Sequence, residues 1–313
     1  MSRGLHTSEL QSCDSHDGEL HIDEAHACEL DIGESQALSF ECDGCRLIGV
    51  LHLPAKPATR GVLIVTGGPQ YRVGSHRQFV LLARHLAAAG VPVMRFDYRG
   101  MGDSGGDQRN FDQVGDDLRA AIGQFFRALP GLRDIVLWGL CDGATAAAFY
   151  APGDARVCGL VLLNPWVRTG QGLARATLNH YYVRRFFERA FWRKVASGAF
   201  DLRQSVRSLA RLARQAATGR KPAGADGDAG GDLPARLHRA LSGFRGRILI
   251  ILSGADIGAR EFVALGERHA EWRALLAEPR VRQTTVAQAN HTFGRKVWRD
   301  DVAAICTDWI ASW

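Results

Sequence analysis

From residue 60 to residue 166, strand-like and helix-like segments take strict turns. RGVLIVTGG (60–68), VPVMRFDYRG (91–100), RDIVLWG (133–139) and VCGLVLLNPW (157–166) are short aliphatic and β-branched runs. Such runs are the pattern of strands covered on both faces. RQFVLLARHLAAAG (77–90), FDQVGDDLRAAIGQFFRALPG (111–131) and DGATAAAFYA (142–151) carry helical spacing, and the first stops at Gly90. A strand returning parallel to its neighbour needs a long crossover, usually a helix. The alternation therefore predicts an α/β fold with a mostly parallel central sheet and helices on both faces. GRILIILSGAD (246–256) and VRQTTVAQANH (281–291) extend the strands, with EFVALGERHAEWRALL as one helix between them. WRDDVAAICTDWIASW forms a closing helix, and LSFECDGCRLIGVLHLP an opening hairpin that turns at Asp43-Gly44.

Two segments stand apart by charge. The chain's formal net charge of +6 hides nine Asp/Glu against one Arg in residues 1–37, and thirteen Lys/Arg against two acids in residues 167–221. The first segment is poor in apolar residues and is expected to be a disordered tail. The second interrupts the strand–helix alternation and leads into TGRKPAGADGDAGGDLP, a flexible linker by composition. It is expected to be an inserted helical lid. The division is thus a tail (1–37), the first part of the core (38–166), a basic lid with linker (167–240) and the second part of the core (241–313). A basic lid favours an anionic substrate. LNHYYVRRFFERAFWRK (178–194) mixes aromatics with arginines, which leaves peripheral membrane contact open; a nucleic-acid role is not expected.

No apolar run is long enough to span a bilayer, and the N-terminus has no hydrophobic core of a signal peptide, so a cytoplasmic setting is expected. Seven cysteines at scattered spacing make no disulfide framework. Cys42 and Cys45 have the spacing of half a zinc site, but no second pair follows; neither a metal nor a cofactor is expected.

The chemistry concentrates at GLCDG (139–143), where a strand must turn sharply into a helix. Gly139 and Gly143 allow the turn, and Cys141 is raised above the carboxyl edge of the sheet. This is the G-x-S-x-G elbow with cysteine in the serine position. A helix N-terminus behind it favours the thiolate. A nucleophile there needs a base, an orienting acid and an oxyanion site. His291, after the last strand, is the candidate base. Asp256, after the strand before it, is the candidate acid; a turn or helix-cap role is its plainer reading. The oxyanion donors are the N–H groups of Gly68, in VTGGPQYR, and of Asp142. Gln70, Arg72 and His76 beside that loop are candidate substrate contacts.

The chain from about residue 38 onward resembles an α/β-hydrolase. DYRGMGDSGG (97–106) matches that family's D-x-R-G-x-G-x-S loop, which implies a brace beside the active site. More narrowly, GGPQYRVGSHRQFVLLARHLAAAG, FDYRGMGDSGG, GLCDGA and SGAD followed by REF resemble the exosortase A system-associated hydrolases, type 1. That resemblance implies a place beside bacterial exopolysaccharide and protein-sorting genes, and no particular substrate. Dienelactone hydrolases imply that the fold can run a Cys-His-Asp set. The expectation is a hydrolase in which the triad Cys141-His291-Asp256 attacks an ester, thioester or lactone of a small or carrier-bound acyl group. Acyl transfer to a sugar or carrier, and non-catalytic binding on the same fold, are the alternatives.

Overall fold

The computed structural model describes residues 34–56, 58–67, 70–167 and 233–313. The tail up to residue 33 and segment 168–232, which holds most of the expected lid, lie outside the described residues.

The hairpin comes first: β1 (Ser35–Cys42) and β2 (Cys45–His52) pair antiparallel, with Cys42 opposite Cys45. Asp43 and Gly44 between them both have positive φ, 46° and 73°. That is the two-residue turn whose twist suits adjoining strands, and Asp-Gly tolerates it. β1 begins inside the segment expected to be tail, because Leu38 and Phe40 alternate into the core.

The alternating units follow. They are β3 (Arg60–Val65), α1 (Gln78–Ala88), β4 (Val93–Asp97), α2 (Gly115–Ala128), β5 (Asp134–Leu140), α3 (Asp142–Tyr150) and β6 (Val157–Leu163). After residue 232 come α4 (Leu233–Gly243), β7 (Arg247–Ser253), α5 (Ile257–Arg268), α6 (Ala270–Leu276), β8 (Val281–Val286) and α7 (Lys296–Ala311). The eight strands form one sheet in the order β1-β2-β4-β3-β5-β6-β7-β8. β2 meets β4 antiparallel, and every pair from β4 to β8 is parallel.

Period-two alternation sorts the side chains into two core layers. Leu63, Val65, Leu137, Leu160 and Ile250 face α2, α3, α4, α5 and α6. Val62, Ile64, Val136, Val161 and Ile251 face α1 and α7. Both sides of β3, β5, β6 and β7 are therefore dry, which accounts for their unbroken aliphatic sequences. The single helix expected over 261–276 is two: the chain is extended at His269 (φ −118°, ψ 122°), and Trp272 packs edge-on against Phe262 with ring centroids 5.5 Å apart. Among the described residues no helix is long and apolar enough to cross a membrane.

The strands end earlier than the sequence pattern implies. β3 stops at Val65, β6 at Leu163, β7 at Ser253 and β8 at Val286. The residues beyond, still apolar or small, form loops at one edge of the sheet, the carboxyl edge of the parallel strands, where ligands of open α/β sheets bind.

Candidate active site

The elbow is built by close approach. Cys141 sits between β5 and α3 with φ 60° and ψ −124°, a conformation that costs an L-residue about 1–3 kcal/mol. Its neighbours hold it there. The Cys141 N–H donates to Leu163 O at 2.8 Å, and its carbonyl accepts from Ala144 N at 3.1 Å and Trp166 N at 3.2 Å. A Cβ on Gly139 would lie 2.5 Å from the Gly143 carbonyl, and one on Gly143 2.6 Å from Val65 O. Only glycine lets β5, β3 and the start of α3 come so near.

Asp256 ends the turn after β7 and caps α5: its Oδ2 accepts from Ala259 N at 2.9 Å. The same oxygen lies 3.1 Å from His291 Nδ1. The plainer reading of Asp256, a helix cap, and the sharper one, a histidine partner, are thus both met by one atom. His291 is carried by the loop after β8. That loop is laced to the β7 turn by Gly254 N to Val286 O and Ala255 N to Ala289 O, each 3.0 Å, and is pinned by the buried Ala289 and Phe293. The imidazole pKa is raised to about 10, first by the hydrogen bond to Asp256, then by a hydrogen bond to the Cys141 side chain. Nδ1 is committed to Asp256, which leaves Nε2 as the ring nitrogen for other partners. The structure therefore brings Cys141, His291 and Asp256 together at the carboxyl edge.

The oxyanion side is described in part. Asp142 opens α3, so its N–H belongs to the first helical turn, whose N–H groups point toward the elbow end of the helix. Its carboxylate accepts from Gly143 N at 3.0 Å. Gly67 packs against this turn: a Cβ there would stand 2.6 Å from Gly143 N. Gly68 lies outside the described residues.

Of the expected substrate contacts, Gln70 is half-buried and its N–H donates to Gly67 O at 3.2 Å. His76 is exposed, in a left-handed conformation (φ 52°), with its ring 3.5 Å from where a Cβ on Gly294 would lie, so it faces the His291 loop. Arg72 is drawn inward. Its guanidinium pairs with the fully buried Asp97 and with Asp103, and its N–H donates to Asp97 Oδ1 at 2.6 Å. The D-x-R-G loop thus acts as a brace: Asp97 holds Arg72, Arg99 pairs with Asp117 at 2.9 Å and Asp43 at 2.6 Å, and Ser104 Oγ donates to Asp97 O at 2.6 Å.

The sequence reading missed Asn164. It follows β6 in LLNPW, is buried, and has φ 43°. Its Nδ2 donates to Ser253 Oγ at 2.8 Å and to the His291 carbonyl at 3.0 Å. The available signal was an amide residue at a strand's carboxyl end, ahead of a proline.

A serine hydroxyl also meets a histidine, on the first two strands: Ser35 Oγ and His52 Nδ1 are 3.1 Å apart. His52 Nε2 accepts from Arg95 Nε at 3.0 Å, so Nδ1 carries the proton and Ser35 accepts it. His52 pairs with Val93, the first residue of β4, and so lies at the amino end of the parallel strands.

Comparison with known proteins agrees with the fold. An esterase from Pyrococcus furiosus is 15% identical with a TM-score of 0.60, over 91% of this chain and 92% of that one. A dienelactone hydrolase from Anabaena variabilis is 15% identical with a TM-score of 0.57, over 90% and 98%. Est1E from Butyrivibrio proteoclasticus, solved with ferulic acid bound, is 16% identical with a TM-score of 0.56, over 88% and 98%. No curated protein matches the sequence. Residues 58–224, more than half the chain, match the family described as serine aminopeptidase, S33. That description is of serine enzymes, and it overturns the cysteine-nucleophile hydrolase expected from GLCDG; in this chain the elbow seat is occupied by Cys141. The chain belongs to the serine aminopeptidase S33 family of α/β-hydrolases.

Proposed function

We propose that this protein hydrolyses esters of small acyl groups by activating water, with His291 as the general base and Asp256 as the group that orients it. The observation that carries the reading is the 3.1 Å hydrogen bond between His291 Nδ1 and Asp256 Oδ2 at the carboxyl edge of the sheet. That bond keeps a proton on Nδ1, so the neutral ring offers Nε2 as the acceptor. Water at Nε2 gives up a proton as its oxygen attacks the acyl carbon. The carbonyl electron pair moves onto oxygen, and that oxyanion is met by the N–H of Asp142, with a second donor from the Gly68 loop. Collapse of the tetrahedral centre expels the alkoxide, which takes the proton from Nε2. The products are the carboxylic acid and the alcohol.

In this scheme Cys141 is the wall of the site and a hydrogen-bond partner of His291, not the attacking group. It helps to hold the ring protonated, which restrains the base at neutral pH. Gln70 and His76 are the proposed contacts to the ester, a reading supported by the closeness of the His76 ring to the His291 loop, while Arg72 is used in the brace. The thirteen Lys/Arg in residues 167–221 support an anionic or carrier-bound acyl group. The motifs GGPQYR, FDYRGMGDSGG and GLCDGA support the narrower kinship with exosortase A system-associated hydrolases, type 1, and with it a cytoplasmic setting.

Short p-nitrophenyl esters test the proposal with the wild type, His291→Gln and Cys141→Ala. The wild type should turn over, His291→Gln should lose about 100-fold or more, and Cys141→Ala should be faster than wild type at neutral pH. No turnover by the wild type, or loss of turnover in Cys141→Ala, overturns it.

A further inference from the structure

The end of β6 and the segment after it touch both the elbow and the His291 loop. Leu163 O accepts the N–H of Cys141, and Trp166 N–H donates to the Cys141 carbonyl at 3.2 Å. The Trp166 carbonyl accepts from Thr145 Oγ1, one turn into α3, at 2.9 Å. Between these two contacts stands Asn164. Its N–H donates to Ile251 O at 3.1 Å, continuing the β6–β7 ladder past the end of β6. Its Oδ1 accepts from Ser253 N at 2.9 Å, and its Nδ2 serves both Ser253 Oγ and the His291 carbonyl.

We infer that Asn164 is a positioning residue for hydrolysis: its side-chain amide fixes the His291 loop to the β7 turn and, through its own backbone, to the elbow. The inference rests on the reading of His291 as the base. Ser253 lies three residues before Asp256, so Asn164 sets acid and base against one frame. The loop after β8 runs five residues from Val286 to His291, and such a loop has many conformers unless its backbone is tied. The tie is to the carbonyl of His291 itself, and it is made by a side chain that is 1% exposed, where water does not compete for the bond.

The left-handed backbone agrees with this role. Asparagine tolerates positive φ better than other side chains with a donor, and here φ 43° turns the amide across β7 toward the histidine loop. A leucine or serine at this place would continue the chain but would leave the His291 carbonyl without this donor.

The test uses Asn164→Gly, which keeps the left-handed backbone and removes the amide, and Asn164→Asp, which keeps an acceptor for Ser253 N–H and removes the donor to His291. Ser253→Ala, which leaves the His291 tie in place, is the control. Two readouts are taken: kcat and KM on a short p-nitrophenyl ester, and the NMR titration of the His291 ring, which needs no turnover. In both Asn164 variants kcat should fall about 10–100-fold with KM little changed, as expected for a displaced reacting group. In Asn164→Gly the His291 ring should titrate at lower pH than in the wild type, because the bond to Asp256 loosens. Ser253→Ala should stay near wild type in both readouts. Wild-type kcat in either folded Asn164 variant, or an unshifted ring titration in Asn164→Gly, overturns the inference. If the wild type hydrolyses no ester but the ring titration still shifts, the positioning role stands and the hydrolase reading fails.

Discussion

Asp256 Oδ2 accepts two hydrogen bonds at once, from His291 Nδ1 at 3.1 Å and from Ala259 N at 2.9 Å. One carboxylate oxygen both starts α5 and fixes a histidine tautomer. The two roles separate by substitution. Asp256→Asn keeps an oxygen for Ala259 but presents an amide donor to the ring, which moves the proton to Nε2. Turnover should drop about 10³–10⁴-fold with little change in Tm. Asp256→Ala should lose the same activity and in addition about 1 kcal/mol of stability from the missing cap. Esterase assays and urea unfolding of the two variants check this; equal stability of both would remove the capping role.

The elbow glycines make a second prediction. A Cβ on Gly143 would meet Val65 O at 2.6 Å and Thr66 C at 3.0 Å, both backbone atoms that cannot swing away. Gly143→Ala should therefore destabilise the fold by about 1–3 kcal/mol, the usual cost of overpacking. Gly131 has nothing within 4 Å of its Cβ position and serves as the control. Denaturant midpoints of Gly143→Ala and Gly131→Ala should differ by that amount.

The strand–helix alternation, the elbow turn, and the chain order in which Asp256 and His291 follow it are all written in local sequence. GLCDG, SGAD and NHTF each mark a strand's carboxyl end, and the strands bring those ends to one edge. Three things were not legible locally. The inward turn of Arg72 depends on Asp97 and Asp103, 25 and 31 residues away. Asn164 reaches His291 across 127 residues, and only the folded sheet puts them side by side. The chemistry assigned to the elbow residue also could not be settled by its position, since the pattern admits cysteine while the family is one of serine enzymes.

Two histidines predict opposite limbs of the stability–pH curve. His52 is buried beside Arg95, and burial first, then that cation, lowers its pKa from 6.5 to about 4. Between those values the unfolded chain binds the extra proton, so stability should fall as pH drops from 6.5 toward 4. His291 is raised from 6.5 to about 10, so its contribution is complete below pH 6.5 and is lost as pH rises toward 10. Tm measured across this range should flatten on the acid side in His52→Gln and on the alkaline side in His291→Gln. An unchanged alkaline limb in His291→Gln would mean that the ring is not held protonated by its partners.

The thiol gives a further outcome. Cys141 is one of the groups that keep the His291 ring protonated. In Cys141→Ala the ring should titrate closer to 6.5, and more of the enzyme should carry a neutral base at pH 7. NMR titration of the ring in this variant reads the effect without turnover, and a titration matching wild type would remove Cys141 from the account.

The most direct measurement is the dependence of kcat/KM on pH for a short ester, because that quantity reports the free enzyme's base. With His291 as the base and its pKa near 10, log kcat/KM should rise by about one unit per pH unit from neutrality and level off near pH 10, after subtraction of the uncatalysed rate. The rise should vanish in His291→Gln. A profile that is flat from pH 6.5 to 10 in the wild type, or one that persists in His291→Gln, would contradict water activation by the His291–Asp256 pair.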